Sequence, residues 1–199
     1  MTTITRIAVL GTLAEFHREP IPYDLEALVR LVVKLQPDLL CIDITEEQWD
    51  AGEFADLPPE YQLGLIPLAN QSDIVIVPIG ESQYPVEYVL SGWRATLIGW
   101  LREWLGKLQR RAPGPAAVNQ GWRHELANVL YHLIVILEGS SAATIRNNHV
   151  RNLVSGILDA ARNDPGCRML VVVNAQFCHR IRPLLKQNEG IEVVAYEQL

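Results

Sequence analysis

Ile7-Ala8-Val9-Leu10-Gly11, then Asp24-Leu25-Glu26-Ala27-Leu28-Val29-Arg30-Leu31-Val32-Val33-Lys34-Leu35, then Leu39-Leu40-Cys41-Ile42, is the run of sequence that decides the fold. Its first and third pieces are short, continuous and apolar, as strands buried on both faces are. The middle piece carries apolar residues at Leu25, Leu28, Val29, Val32 and Leu35, the period of a helix. Asp24 stands where an N-cap belongs, and Pro37 stops the helix. Strand, helix and strand in this order form a βαβ unit, which requires parallel neighbours and a right-handed crossover.

The far end of the chain repeats the design. Leu170-Val171-Val172-Val173 runs into Asn174-Ala175-Gln176-Phe177-Cys178 and reaches His179-Arg180, as the first strand runs into Thr12-Leu13-Ala14-Glu15-Phe16 and reaches His17-Arg18. Each reads as a strand, a short polar loop and a His-Arg pair. A helix over 180–187 and a last strand, Ile191-Glu192-Val193-Val194, complete the second unit.

Between the two units lie a short helix over 60–70 and a third strand at Asp73-Ile74-Val75-Ile76-Val77. From 85 to 112 the pattern turns helical, with Val89, Leu90, Trp93, Leu97, Trp100, Leu101, Trp104, Leu105 and Leu108 in phase. Ala112-Pro113-Gly114-Pro115 breaks it. Two more helices, over 120–137 and 142–162, end at Asn163-Asp164-Pro165-Gly166. The expected fold is a single α/β domain over 1–199. Its sheet is mainly parallel, of about five or more strands flanked by helices, with a long helical insert over 85–163 between strands three and four.

Composition narrows the function classes. Of 199 residues, 49% are hydrophobic and 20% charged, which is a globular balance. A net charge of −6 argues against nucleic acid as a partner, because that footprint needs a basic face. Three cysteines without paired spacing suit a reduced, cytoplasmic setting. No leader pattern precedes the first strand, and the longest apolar stretch, 129–137, is interrupted by His132 and too short to span a bilayer. The expectation is a soluble protein with no membrane partner.

Ligands of open α/β sheets sit outside the carboxyl ends of the strands, which makes His17 and His179 candidates for one shared site. An imidazole there serves as general base, metal ligand or anion contact. Asp43 ends the second strand and could bind a metal, orient a histidine or act as a base, while Thr45-Glu46-Glu47 beyond it suits a helix start. Glu15 precedes His17, and Glu81 follows the third strand. Arg146, with Arg151, could meet an anion. His124, Asn128 and His132 share a helix face without an HExxH pattern and read as packing residues. Trp93, Trp100 and Trp104 read as core packing or a dimer interface. The sequence holds no Gly-rich phosphate loop, no GxSxG elbow, no CxxC pair and no zinc-finger spacing.

Ile7-Ala8-Val9-Leu10-Gly11-Thr12, followed by a helix and then Gln36-Pro37-Asp38-Leu39-Leu40-Cys41-Ile42-Asp43, resembles the opening of the TraB/Tiki-like superfamily, which includes erythromycin-esterase-like and ChaN-like proteins. Thr144-Ile145-Arg146-Asn147 resembles its Arg-led helix start, and 170–175 with 181–185 its closing unit. The likeness covers about half of the chain, in short motifs. It implies the same α/β fold and, from some relatives, hydrolysis assisted by a divalent metal. Aligned without gaps, Ala14 and Phe177 fall where the family has its two histidines, Asp43 where it has Glu, and Gln48 where an Arg follows.

Two functions are expected. One is a metal-assisted hydrolase-like or small-molecule site at the strand ends, using His17, His179, Asp43 and Glu15, with Arg146 and Glu81 holding the ligand. The other is a non-catalytic binding or assembly protein that forms a homo-oligomer through its Trp-rich helices.

Overall fold

The computed structural model describes residues 4–81 and 91–199. Five strands, β1 (Thr5–Thr12), β2 (Leu39–Ile42), β3 (Val75–Pro78), β4 (Arg168–Asn174) and β5 (Ile191–Val194), form one sheet in the order β3-β2-β4-β1-β5. Every pairing is parallel. The two look-alike strands of the sequence are neighbours, with Leu10 opposite Val172 and Thr12 opposite Asn174. The chain leaves the sheet after β3, builds a block of helices, and returns to place β4 in the middle.

Both faces of the sheet are covered, which is why its strands are continuously apolar. Ala8, Leu10, Leu40, Ile42, Leu170 and Val172 point to one face, into a core shared with Leu28 and Val32 of α1 (Leu25–Leu35). Ile7, Val9, Cys41, Met169, Val171 and Val173 point to the other, against Leu153 and Ile157 of α7 (Ser140–Asn163) and Ile181 of α8 (Ala175–Leu185). Asp24 caps α1 as expected, accepting from the Ala27 N–H at 2.8 Å.

The remaining helices are α2 (Glu46–Ala51), a π-helical turn (Glu60–Leu65) leading into α3 (Ile66–Ala69), and the insert helices α4 (Trp93–Arg110), α5 (Pro115–Asn119) and α6 (Gly121–Glu138). Pro115 opens α5, so the break at Ala112 is a tight connection between helices. Helices α4 and α6 share their own small core of Ile98, Leu101, Leu105, Leu130 and Ile134. Val89 and Leu90, which the helical period includes, lie outside the described residues.

Strand β5 pairs with β1 through Ala8, and the rest of that β1 edge is completed by side chains. Asn119 Oδ1 accepts from the Gly11 N–H at 2.6 Å and its Nδ2 donates to the Gly11 carbonyl at 3.3 Å. Arg182 donates to the Val9 carbonyl at 2.9 Å. One asparagine and one arginine thus stand in for a strand and satisfy backbone groups that burial would otherwise leave unpaired.

The loop expected between β4 and His179 is absent. Asn174 caps α8 at once, its side chain accepting from the Gln176 N–H at 3.1 Å, so the helix begins at Ala175. A residue with a polar side chain at a strand end is a ready N-cap, and the helix starts there because the cap is supplied there.

Candidate functional site

A cavity of about 790 Å³ opens at the carboxyl edge of the sheet. Its walls come from Ala14 and Glu15 after β1, Asp43 and Ile44 after β2, Gly80 and Glu81 after β3, and Asn174 and Gln176 around the end of β4. Glu60, Tyr61, Arg102, Glu138 and Arg146 close the remaining sides. This is where an open parallel sheet places its ligands.

Helix α7 organises the site. Arg146, His149 and Asn152 recur every three residues along it, so they share one face. Arg146 donates to Gln176 Oε1 at 3.3 Å and to Glu138 Oε2 at 2.6 Å. His149 Nε2 is 2.9 Å from Asp43 Oδ2. Asn152 donates to Glu81 Oε2. One turn further, a Cβ on Gly156 would lie 3.1 Å from the Ile79 Cβ, so only a small residue lets α7 approach β3 this closely. The helix ties down the ends of β2, β3 and β4 in turn.

Asp43 is held from two sides. The buried His149 ring meets Oδ2, while Oδ1 lies so near Gly80 that a Cβ there would come within 2.7 Å of it. Phe177 packs on His149 with ring centroids 4.9 Å apart and restrains the imidazole. The carboxylate is therefore oriented, and it still reaches the cleft.

Glu60 is a second carboxyl of different character. It is 1% exposed and accepts from the Thr12 hydroxyl at 2.7 Å. Burial pushes its pKa up, and the Thr12 hydrogen bond offsets only part of that rise. Nearby, Ala14 adopts a left-handed backbone, φ 50°, which a residue with a Cβ resists. Glu15 is exposed and paired with Arg18 at 3.3 Å.

Glu138, 2% exposed at its side chain, sits between Arg146 and Arg102, which reaches it at 3.0 Å. Arg146 thus lines the cleft with its charge already engaged, and it is not a free anion contact. The cleft is acidic on balance, since Asp43, Asp56 and Glu81 line it beside this neutralising cluster.

Asp43, Glu15, Glu81 and Arg146 come together as the sequence suggests. His17 and His179 do not join them. The His17 ring is buried, its Nε2 accepting from the Leu13 N–H at 2.9 Å and its edge against Tyr23. Burial holds its pKa down at about 4. It fastens the turn after β1, which runs as a 3₁₀ helix (Ala14–Arg18) where a loop is expected. His179 rides on α8 into a separate small hollow beside Tyr131, His132 and Arg180, and burial, then the Arg180 charge, holds it at about 4. The early start of α8 carries it there. His124 packs as expected, buried with Nδ1 2.9 Å from the Val118 carbonyl.

His149 is the site residue that the sequence motifs miss. The three-residue spacing of Arg146, His149 and Asn152 was its signal, since three polar side chains on one helix stripe need polar partners when that stripe is covered. Among the described residues, no three His, Cys, Asp or Glu side chains gather closely enough to hold a metal ion. The divalent metal implied by the resemblance therefore finds no ligand set there. No helix among the described residues is long and apolar enough to cross a membrane. No family model matches the chain, and comparison with curated proteins and with solved structures gives no match.

Proposed function

We propose that the cleft binds a small, positively charged polar molecule, with Asp43 as its main contact and proton acceptor. The observation that carries this is the Asp43 carboxylate itself, fixed from behind by buried His149 and open in front to an acidic cavity. A carboxylate that is preoriented gives up less conformational freedom on binding a cation than a free side chain would. Glu60 adds a carboxyl whose burial makes it retain its proton more readily than an ordinary one, which suits it to the donor's part beside Asp43 as acceptor. This is the equipment of hydrolase-like acid–base chemistry without a metal, and it occupies the strand-end position that the TraB/Tiki-like resemblance implies.

The test is thermal unfolding of the full chain with agmatine or choline as cationic probes and acetate or phosphate as anionic ones. The reading predicts that the cations raise Tm in a saturable way, that the anions do not, and that Asp43→Asn abolishes the response. Stabilisation by phosphate alone, or an unchanged response in Asp43→Asn, would overturn it.

A further inference from the structure

The insert helices carry a large apolar surface that is exposed among the described residues. On α4, Trp93, Trp100 and Trp104 are 67%, 52% and 53% exposed, and the last two rings touch at 5.2 Å between centroids. On α6, Trp122, Leu126, Val129, Leu133 and Ile136 are between 40% and 66% exposed. Their spacing alternates four and three, the heptad pattern of a helix that packs lengthwise against another. A second face of α6, adjoining the first, is apolar as well, through Ala127, Leu130 and Ile134, which pack on α4. A helix apolar on both faces is one buried on both faces.

The two stripes form one patch. Arg102 on α4 pairs with Glu138 on α6, and seven residues later Gln109 bonds Tyr131, seven residues earlier on α6. The helices are therefore antiparallel. At about 100° per residue, each exposed stripe lies roughly 100–120° round from its helix's buried stripe, in the same sense along the chain. In an antiparallel pair, that turns both stripes to the same side. With roughly 200 Å² for a free aromatic side chain and less for an aliphatic one, the patch amounts to roughly 800 Å² of apolar surface. Monomers rarely expose patches beyond about 300–600 Å², and a stable interface takes about 800 Å² from each partner.

We propose that this face is the interface of a homodimer, in which the α4–α6 pairs of two copies form a four-helix bundle about a two-fold axis. A second copy fits because it brings an identical pair of heptad stripes of equal length, and an isologous contact matches each stripe to itself or its neighbour. From Leu126 to Leu137, α6 carries no Asp, Glu, Lys or Arg, so its part of the interface buries no ion, while Lys107, in phase with the α4 tryptophans, already pairs with Glu103 at 2.7 Å. A net charge of −6 disfavours the other apolar partner, an anionic lipid surface.

Sedimentation equilibrium of the full chain from 1 to 100 µM tests this, with Trp100→Glu/Leu133→Glu as the variant. The wild type should run near twice 22.4 kDa. The variant should run as a monomer with unchanged helical circular dichroism. Four of the five tryptophans lie on the face, so dissociation by dilution should also red-shift their emission and raise iodide quenching. Ile136→Glu, at the end of the patch, serves if the double variant does not fold. A wild-type monomer throughout this range overturns the proposal, as does a dimer that survives in a folded variant. Co-sedimentation of monomer with phosphatidylcholine/phosphatidylglycerol vesicles would overturn it in favour of a membrane surface.

Discussion

His149 Nε2 donates to Asp43 Oδ2 at 2.9 Å across a sequence separation of 106 residues, joining the middle of α7 to the end of the second strand. His149 does not line the cleft, so it acts through Asp43 and is a positioning residue. His149→Ala should weaken binding of agmatine about tenfold while costing about 1–2 kcal/mol of stability. His149→Gln, which can still donate to Asp43, should recover most of the affinity in calorimetry. Loss of stability with unchanged affinity would assign His149 a purely structural part.

Gly80 makes room for that carboxylate. A Cβ at position 80 would lie 2.7 Å from Asp43 Oδ1 and 2.9 Å from the Ile44 backbone nitrogen. Gly80→Ala should therefore destabilise the protein by about 1–3 kcal/mol in urea unfolding and displace Asp43. The Asp43 amide and carboxyl resonances should shift, while those of β5 should not.

Glu138 is a buried carboxylate whose charge is met by two arginines. Arg146→Ala leaves it with Arg102, which is itself 62% exposed, and should cost about 3 kcal/mol. Replacing both members, Arg146→Met with Glu138→Leu, should cost much less than the single change, since no buried charge is then stranded. Urea denaturation of the three proteins measures the difference. Equal losses in single and double variants would contradict this account.

His17 and His179 set an acid limit on stability. Both titrate at about 4 in the folded chain, below the ordinary 6.5 of the unfolded one, and His124 is lowered in the same direction. Between those values the unfolded state binds more protons, so the stabilisation is complete above pH 6.5 and is lost as pH falls toward 4. His17→Gln keeps an acceptor for the Leu13 N–H and should remove about one proton from the slope, roughly 1.4 kcal/mol per pH unit. A pH series of unfolding midpoints reads this directly.

The sheet is legible in the sequence because β1 and β4 are unbroken apolar runs, as only strands covered on both faces need be. Their partnership is not, since no local pattern states that β4 inserts between β1 and β2. Asp43, Glu15 and Glu81 are found by one rule, that carboxylates just past strand ends face the cleft. The histidines mislead for a local reason. Asn174 starts α8 five residues before His179, and the 3₁₀ turn folds His17 back onto Leu13. His149 escapes because its partner lies far off in sequence. The α4 tryptophans show that a helical period reveals a stripe without telling which of two apolar stripes meets the core. Leu101 and Leu105 took that place.

The most direct test of the cleft as a ligand site is a ¹H–¹⁵N NMR titration of the full chain with agmatine, followed in parallel in Asp43→Asn. The account predicts saturable shifts of the amides at 43–45, 80–81 and 174–176 in the wild type and their loss in the variant. Shifts confined to other surfaces, or identical shifts in Asp43→Asn, would contradict it.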